Sequence, residues 1–259
     1  MPSTLSIATA LAAILQRAGS AIQTVQQRAE EEKAPGALVT AADKLSHEII
    51  AEALARDFPG IPLVMEEQSN ADEVPATCFV IDELDGTALY ARGIAGWSVS
   101  AALVEAGQPV AGAIFQPDTT IAVRTALGSG TWIGDEKIAF GGRGPIGRQI
   151  VISELNRHTA LRDFLWAREL SKSFLTLRCL SCTTASTIEM LRGGAGLFIN
   201  SIGACIWDFA ACALAVEEAG GVARDLEGAP LRWNRIPMAV LFAADAATLE
   251  FALSCRPEA

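Results

Sequence analysis

The run Asp82-Glu83-Leu84-Asp85-Gly86-Thr87 gathers three carboxylates and a hydroxyl around one glycine, directly after the apolar pair Val80-Ile81. Glu66-Glu67 follows a second apolar run, and Trp207-Asp208 lies far downstream. Carboxylates collected from three places at the ends of apolar elements suit a hard cation, because magnesium takes oxygen ligands in octahedral geometry and keeps several waters. Asp82 and Asp85 are three residues apart. A strand end that turns at Asp85-Gly86 lets both face one point, with the Leu84 carbonyl as a further oxygen ligand. Glu66 reaches the same point if its strand neighbours that of Asp82. Four carboxylates of this kind can hold two cations with Asp82 bridging, an arrangement that activates a water and stabilises a leaving oxygen in phosphoryl transfer. Each segment also has an ordinary reading. Asp-Gly is a common turn, Glu66-Glu67 fits a solvated loop, Asp208 suits a helix start, and Thr87 can cap a turn.

Periodicity and breakers indicate the elements that would position these groups. Residues 4–33 read as one long helix ended by Pro35-Gly36. A second helix spans about 42–57. Strands at 61–65 and 78–81 put Glu66-Glu67 and the acidic cluster at their C-terminal ends, with a polar loop at 68–75 between them. Residues 97–105, 109–115, 121–125 and 130–133 read as strands, with turns at Ala106-Gly107-Gln108 and Gly134-Asp135-Glu136-Lys137. Gly141-Gly142-Arg143-Gly144-Pro145 is the most linker-like stretch. The chain therefore divides into 1–140, two helices and a largely antiparallel sheet carrying most metal ligands, and 141–259, an α/β unit contributing Asp208 and the substrate pocket. The second unit is expected to hold strands at 149–152, 175–177, 197–199, 222–225 and 238–243. Its helices are expected around Leu161, Phe164 and Leu165, at 184–191, at 207–219 and from Ala247 onward.

With 259 residues, 51% of them apolar, the chain can bury a large core in one extended domain or two packed ones. It has no run of eighteen uncharged apolar residues, so no membrane partner is expected. The apolar N-terminus lacks a basic region in front of it and reads as the first helix of the mature fold, which points to a cytoplasmic protein. A net charge of −10, with only four lysines, argues against a nucleic-acid partner, whose binding rests on phosphate neutralisation. A small phosphorylated metabolite remains compatible, since metal ions can supply the positive charge locally. Six cysteines with the single spacing Cys179-x-x-Cys182, not the two pairs a zinc site needs, and only two histidines argue against zinc and for buried thiols in a reducing compartment. His47 and His158 fall in helical patterns as structural or surface groups, and no nucleophile pairing stands out.

Taken in order, Val39-Thr40-x-x-Asp43, Glu66-Glu67, Asp82-x-Leu84-Asp85-Gly86-Thr87 and Trp207-Asp208-x-Ala210-Ala211 resemble the signatures of the inositol monophosphatase family. That family includes phosphatases for inositol phosphates, histidinol phosphate, fructose bisphosphate and nucleotide 3′-phosphates. The resemblance covers about residues 38–240. It implies an α+β fold, a layered αβαβα sandwich of the sugar-phosphatase type, in a homodimer. It also implies magnesium-dependent, lithium-sensitive hydrolysis of a phosphate monoester by direct in-line attack of water. Glu66, Asp82 and the Leu84 carbonyl would hold the first Mg2+, and Asp82, Asp85 and Asp208 the second. A third, weaker ion would lie near Glu66. Asp43, Thr87 and Glu66 would be the catalytic residues, with Asp43 and Thr87 orienting and deprotonating the water. Gly86 and Thr87 would cradle the phosphate, and Cys182, Thr183, Asn200 and Asp208 would meet the rest of the substrate.

Several positions depart from the family pattern. Glu83 stands where the family has proline, and Ala88-Leu89 where it has Thr-Asn. Ser181 replaces a glycine in the loosely matching stretch Arg178–Thr184. Asn200 or Ser201 stands where the inositol-type enzymes place a glutamate. These departures bear on the substrate and leave the metal ligands intact, so a 3′-phosphoadenosine-type nucleotide phosphatase and a histidinol or sugar phosphatase are alternatives. Arg92 and Arg178 are the main basic residues near the motifs, which argues against a substrate with two remote phosphates. An inactive relative acting as a binding protein, or a structural calcium-binding protein, is a rival of another class. The intact set Asp43, Glu66, Asp82, Asp85, Thr87 and Asp208 favours an enzyme.

Overall fold

The computed structural model describes residues 2–26, 30–34, 37–68, 74–141, 144–234 and 237–257. Helix α1 (Thr4–Gln23) leads into a hairpin of β1 (Glu30–Ala34) and β2 (Ala37–Thr40), then α2 (Ala41–Asp57). Strands β3 (Leu63–Met65) and β4 (Cys78–Asp85) follow, then the short helix α3 (Thr87–Ala91). A meander comes next: β5 (Ser98–Glu105), β6 (Gln108–Gln116), β7 (Ile121–Ala126), β8 (Gly130–Ile133) and β9 (Glu136–Ile138). The remainder is β10 (Ile150–Glu154), α4 (Leu161–Ser173), β11 (Thr176–Arg178), α5 (Thr183–Leu191), β12 (Leu197–Ala204), α6 (Ile206–Glu218), β13 (Val222–Arg224), β14 (Met238–Ala243) and α7 (Ala246–Ser254).

Two sheets form the frame. A seven-stranded sheet runs in the order β3-β4-β5-β6-β7-β8-β9, and a five-stranded sheet in the order β11-β10-β12-β14-β13. The first is antiparallel except for the β3–β4 pair. Because successive strand residues point to opposite faces, each strand feeds two cores. Phe79, Ile81, Ala101 and Leu103 pack with α1 and α2, whereas Val80, Ala102 and Val104 pack with α5, α6 and the inner face of the second sheet. Phe198, Val240 and Phe242 face that middle layer, while Leu197, Ile199 and Leu241 turn outward onto Trp166 and Leu170 of α4 and Leu249 and Ala252 of α7. The result is the expected αβαβα sandwich. Gly112 of β6 permits the close middle packing: a Cβ there would lie 3.2 Å from the Ala211 Cα of α6.

Some expected elements differ. The helix read over 4–33 stops at Gln23, with Thr24 as its C-cap, and Glu30–Ala34 is a strand. The buried face of α1 recurs at helical spacing only from Ile7 to Ile22. Beyond Val25, which still packs on the core, the sequence is largely polar, and Glu30–Ala34 pairs antiparallel with β2. By length and mean hydropathy alone α1 could cross a membrane, but Leu11, Leu15 and Ile22 are buried against the first sheet. Pro35-Gly36, most of the 68–75 loop (69–73), and Gly142-Arg143 of the linker-like stretch lie outside the described residues. Glu136-Lys137 belong to β9 and not to a turn. Leu161 and Phe164 of α4 are exposed, and its core face is Trp166, Ala167 and Leu170.

Candidate metal centre

Strand β4 extends past Ile81 through the acidic cluster to Asp85, and its pairing with β5 carries a bulge there. Asp82 pairs with Ser100 and Asp85 with Ser98, so three steps on one strand match two on the other. Regular pleating would send side chains three apart to opposite faces. The extra residue re-aims them, as bulges do. One carboxylate oxygen each of Asp82, Asp85 and Asp208 lies within 4.8 Å of the other two.

Each carboxylate is anchored by the backbone. Asp82 Oδ1 accepts from the Leu84 N–H at 2.9 Å. Asp85 Oδ2 accepts from the Thr184 N–H at 2.8 Å and the Thr184 hydroxyl at 2.7 Å, so it caps the start of α5. Asp208, the third residue of α6, accepts from the Cys205 N–H at 2.7 Å. The helix-start reading of Asp208 is therefore compatible with its place in the acidic triad. Burial holds the Asp82 carboxyl well above the usual carboxylate range, with Glu66, Asp85 and Asp208 adding to the rise. Burial, then Asp85 and Glu66, does the same to Asp208. Asp85 is also raised by burial, against the pull of the Thr184 hydrogen bonds. Glu66 faces the triad at longer range and is not part of it.

Beside the triad lies a hydrogen-bonded pair, Asp43 and Thr87. Asp43 is buried and closes a capping box: its Oδ2 accepts from Thr40 N at 2.7 Å and Thr40 Oγ1 at 2.6 Å. Its other oxygen, Oδ1, lies 3.1 Å from Thr87 Oγ1, which also lies 3.0 Å from the Leu84 carbonyl oxygen. Burial raises the Asp43 carboxyl. Gly86 sets the turn between strand and helix at φ +91°, where a side chain would be strained and would press on Trp97.

The remaining expected substrate residues line a cleft of about 300 Å³ next to Asp85 and Asp208. Its wall includes Glu154, Ser181, Cys182, Thr183 and Asn200. Cys182 is buried, its thiol 3.6 Å from the Asp85 carbonyl oxygen, and burial pushes its pKa up. Asn200 Oδ1 accepts from Gly203 N at 3.3 Å. Ser181 adopts φ +55°, the left-handed region that favours the glycine it replaces. Arg178 lines a different cleft, of about 350 Å³, with Ile150 and Glu189. Arg92 donates to the Ala88 carbonyl on α3.

Sequence reasoning missed Thr184 as the anchor of Asp85, Glu154 on the cleft wall, and Glu83 with His47. Glu83 is 1% exposed. Its Oε2 accepts from the Glu66 N–H at 3.1 Å and its Oε1 from the Glu67 N–H at 3.3 Å. His47 Nδ1 stands 2.7 Å from Oε1. Burial pushes Glu83 up to about 7, against the opposing effect of the His47 hydrogen bond. The available signal was Glu83 itself, a charged residue inside an apolar strand, together with a histidine four residues after Asp43 on α2.

Comparison with known proteins bears on the whole chain. The model of the inositol monophosphatase family matches residues 3–255. A protein of Xylella fastidiosa named Nus factor SuhB is 30% identical over 202 residues, covering 72% of this chain and 68% of its own length. An inositol-1-monophosphatase of Mesorhizobium japonicum is 29% identical over 200 residues, covering 76% and 75%. The crystal structure of the extragenic suppressor protein suhB from Bartonella henselae superposes with a TM-score of 0.87 at 21% identity, covering 98% of this chain and 100% of that one.

Proposed function

The chain belongs to the inositol monophosphatase family, and we propose that it hydrolyses the phosphate monoester of a small metabolite with Mg2+ as cofactor. The observation that carries this reading is the buried Asp82–Asp85–Asp208 triad beside the Thr87–Asp43 pair. The donor set fits the ion. Three backbone-anchored carboxylates raise one another's proton affinity, and a hard divalent cation offsets such crowding while accepting oxygen ligands. Glu66, Asp82, Asp85, Asp208 and the Leu84 carbonyl would hold two or three ions. Bound magnesium supplies Lewis acidity and charge neutralisation for the phosphate oxygens and the attacking water.

The chain's own residues account for positioning and proton movement. Asp43 is fixed through one oxygen by Thr40, which leaves Oδ1 to accept the Thr87 hydroxyl proton. Thr87 Oγ1 would offer its lone pairs to a water on the triad side and orient it. As the water attacks, Thr87 would take one water proton and release its own hydroxyl proton to Asp43 Oδ1, leaving Asp43 protonated. A raised Asp43 pKa favours this role, because a base works best with its pKa near the working pH. The Gly86 and Thr87 N–H groups would hold the phosphate at the β4–α3 turn. The cleft bearing Cys182, Thr183 and Asn200 would receive the leaving group. No lysine or arginine lines this cleft among the described residues. That favours a substrate without a second phosphate there.

Magnesium-dependent release of inorganic phosphate from a panel of inositol, sugar, histidinol and nucleotide monophosphates, with 3′-phosphoadenosine 5′-phosphate included, tests the proposal. Asp85→Asn is expected to lower kcat/KM on every active substrate by about 100-fold or more. Unchanged activity in that variant would sink the metal-site reading. The same family reading carries a homodimer in the cytoplasm, which light scattering and fractionation of the native host test.

A further inference from the structure

Glu83 and Asp82 are neighbours on β4, and their side chains serve different partners. Asp82 joins the triad, whereas Glu83 meets the α2 face and the chain just after β3. There its carboxylate ties together three elements. It accepts from the backbone of Glu66 and Glu67 at the end of β3, and it meets His47 on α2. It is joined through one peptide bond to Asp82 and through another to Leu84. His47 lies one helical turn beyond Asp43, on the same face of α2. The elements joined at Glu83 are thus the ones that carry Asp43, Glu66 and Asp82. A proline, the residue expected here from the family pattern, would offer no acceptor for any of these groups.

We propose that Glu83, backed by His47, is a positioning residue that holds the Glu66 turn and the Asp43 helix in register with the cation site. The inference rests on the phosphatase reading above. Glu83 acts through Glu66 and Asp82 and touches neither ion nor substrate. Hydrogen bonds of this second kind orient ligands, and their removal characteristically weakens metal binding or activity by 10- to 100-fold. Losing the carboxylate leaves the Glu66 and Glu67 N–H groups without this acceptor and frees the turn, so the entropy of ordering Glu66 falls on cation binding.

The test uses the full chain with Mg2+ alone as probe, titrated calorimetrically, next to the Mg2+ dependence of phosphate release. Glu83→Ala is expected to weaken Mg2+ binding about 10- to 100-fold, to raise the half-activating Mg2+ concentration by the same factor, and to leave KM at saturating Mg2+ near wild type. Glu83→Gln, with one acceptor oxygen left, should fall between. His47→Asn places an amide N–H near the position of Nδ1 and should recover most of the affinity that His47→Ala loses. Metal-free thermal melts separate positioning from bulk stability. A Glu83→Ala protein that melts earlier but binds Mg2+ like wild type overturns the proposal, as does unchanged affinity in Glu83→Gln should the alanine variant fail to fold. A wild-type protein that neither binds Mg2+ nor releases phosphate would instead overturn the phosphatase reading itself.

Discussion

The two sides of the centre are built differently. On the seven-stranded side, Asp43, Asp82, Glu83 and Thr87 are each held by hydrogen bonds, to Thr40, Leu84 N, His47 and the Leu84 carbonyl respectively, and the turn at Gly86 has the residue its backbone needs. On the five-stranded side, the cleft wall comes from the ends of β10 and β12 and the start of α5. It includes a serine in left-handed backbone, and residues 201–205 beside it are only partly buried. On the proposed reading, the first side supplies Asp43, Asp82, Asp85 and Thr87 for the reaction, Asp208 joins them from the second, and the rest of the cleft wall would meet the leaving group. Reaction and specificity would then be separable, and a variant at one set should leave the other parameter largely intact.

The largest test of that separation is Thr87→Val, which keeps shape and removes the hydroxyl. It is expected to lower kcat by about 100- to 10,000-fold on all substrates alike, measured by phosphate release. A loss confined to one substrate would break the comparison. Next is the pH response of the metal-free protein. Glu83 is raised from 4.5 to about 7 on folding, so between those values the native state binds more protons than the unfolded one. Stability therefore falls as pH rises through that window, by on the order of 2 kcal/mol, and saturating Mg2+ should reduce the fall, because metal binding displaces protons from the acidic cluster. Chemical denaturation at pH 5 and pH 8, with and without Mg2+, checks both halves.

Smaller effects are expected on the cleft side. Glu154→Gln should change the ranking of substrates by about tenfold in kcat/KM while leaving the half-activating Mg2+ concentration unchanged. Glu154 is buried on the cleft wall, with Ser186 at 3.3 Å and Cys179 at 3.6 Å as its neutral donors. Ser181→Gly relieves left-handed strain of about 1 kcal/mol, less what glycine loses in chain entropy. A rise in Tm of about 1 °C or less is the expected readout.

The same division decides what could be read from the sequence. Asp82, Asp85, Thr87 and Asp208 are legible as oxygen-bearing residues at a strand-end turn and a helix start, features that recur at short spacings, whereas Asp43 stands out only through the ordered motifs that resemble the family. The strands of the second sheet were legible for a related reason, since Val, Leu, Ile and Phe alternate between two cores. What escaped was non-local. Glu83 meets His47 across 36 residues, and Asp85 meets Thr184 across 99. No spacing rule announces such pairs. The false extension of α1 had a different origin: a polar run that satisfies helical propensity still needs a surface to pack on, and here it found strand pairing with β2 instead.

The Asp85–Thr184 clasp has a kinetic consequence. Closing a loop of 99 residues requires chain entropy to be surrendered before the contact gives anything back. Asp85 also stands close to Asp208 when the clasp is made, so mutual repulsion opposes its formation in the absence of a cation. Both factors lead to the expectation that it forms late on the folding route. Weakening it by Thr184→Val should accordingly speed unfolding and leave the refolding rate nearly unchanged, with a φ-value near zero.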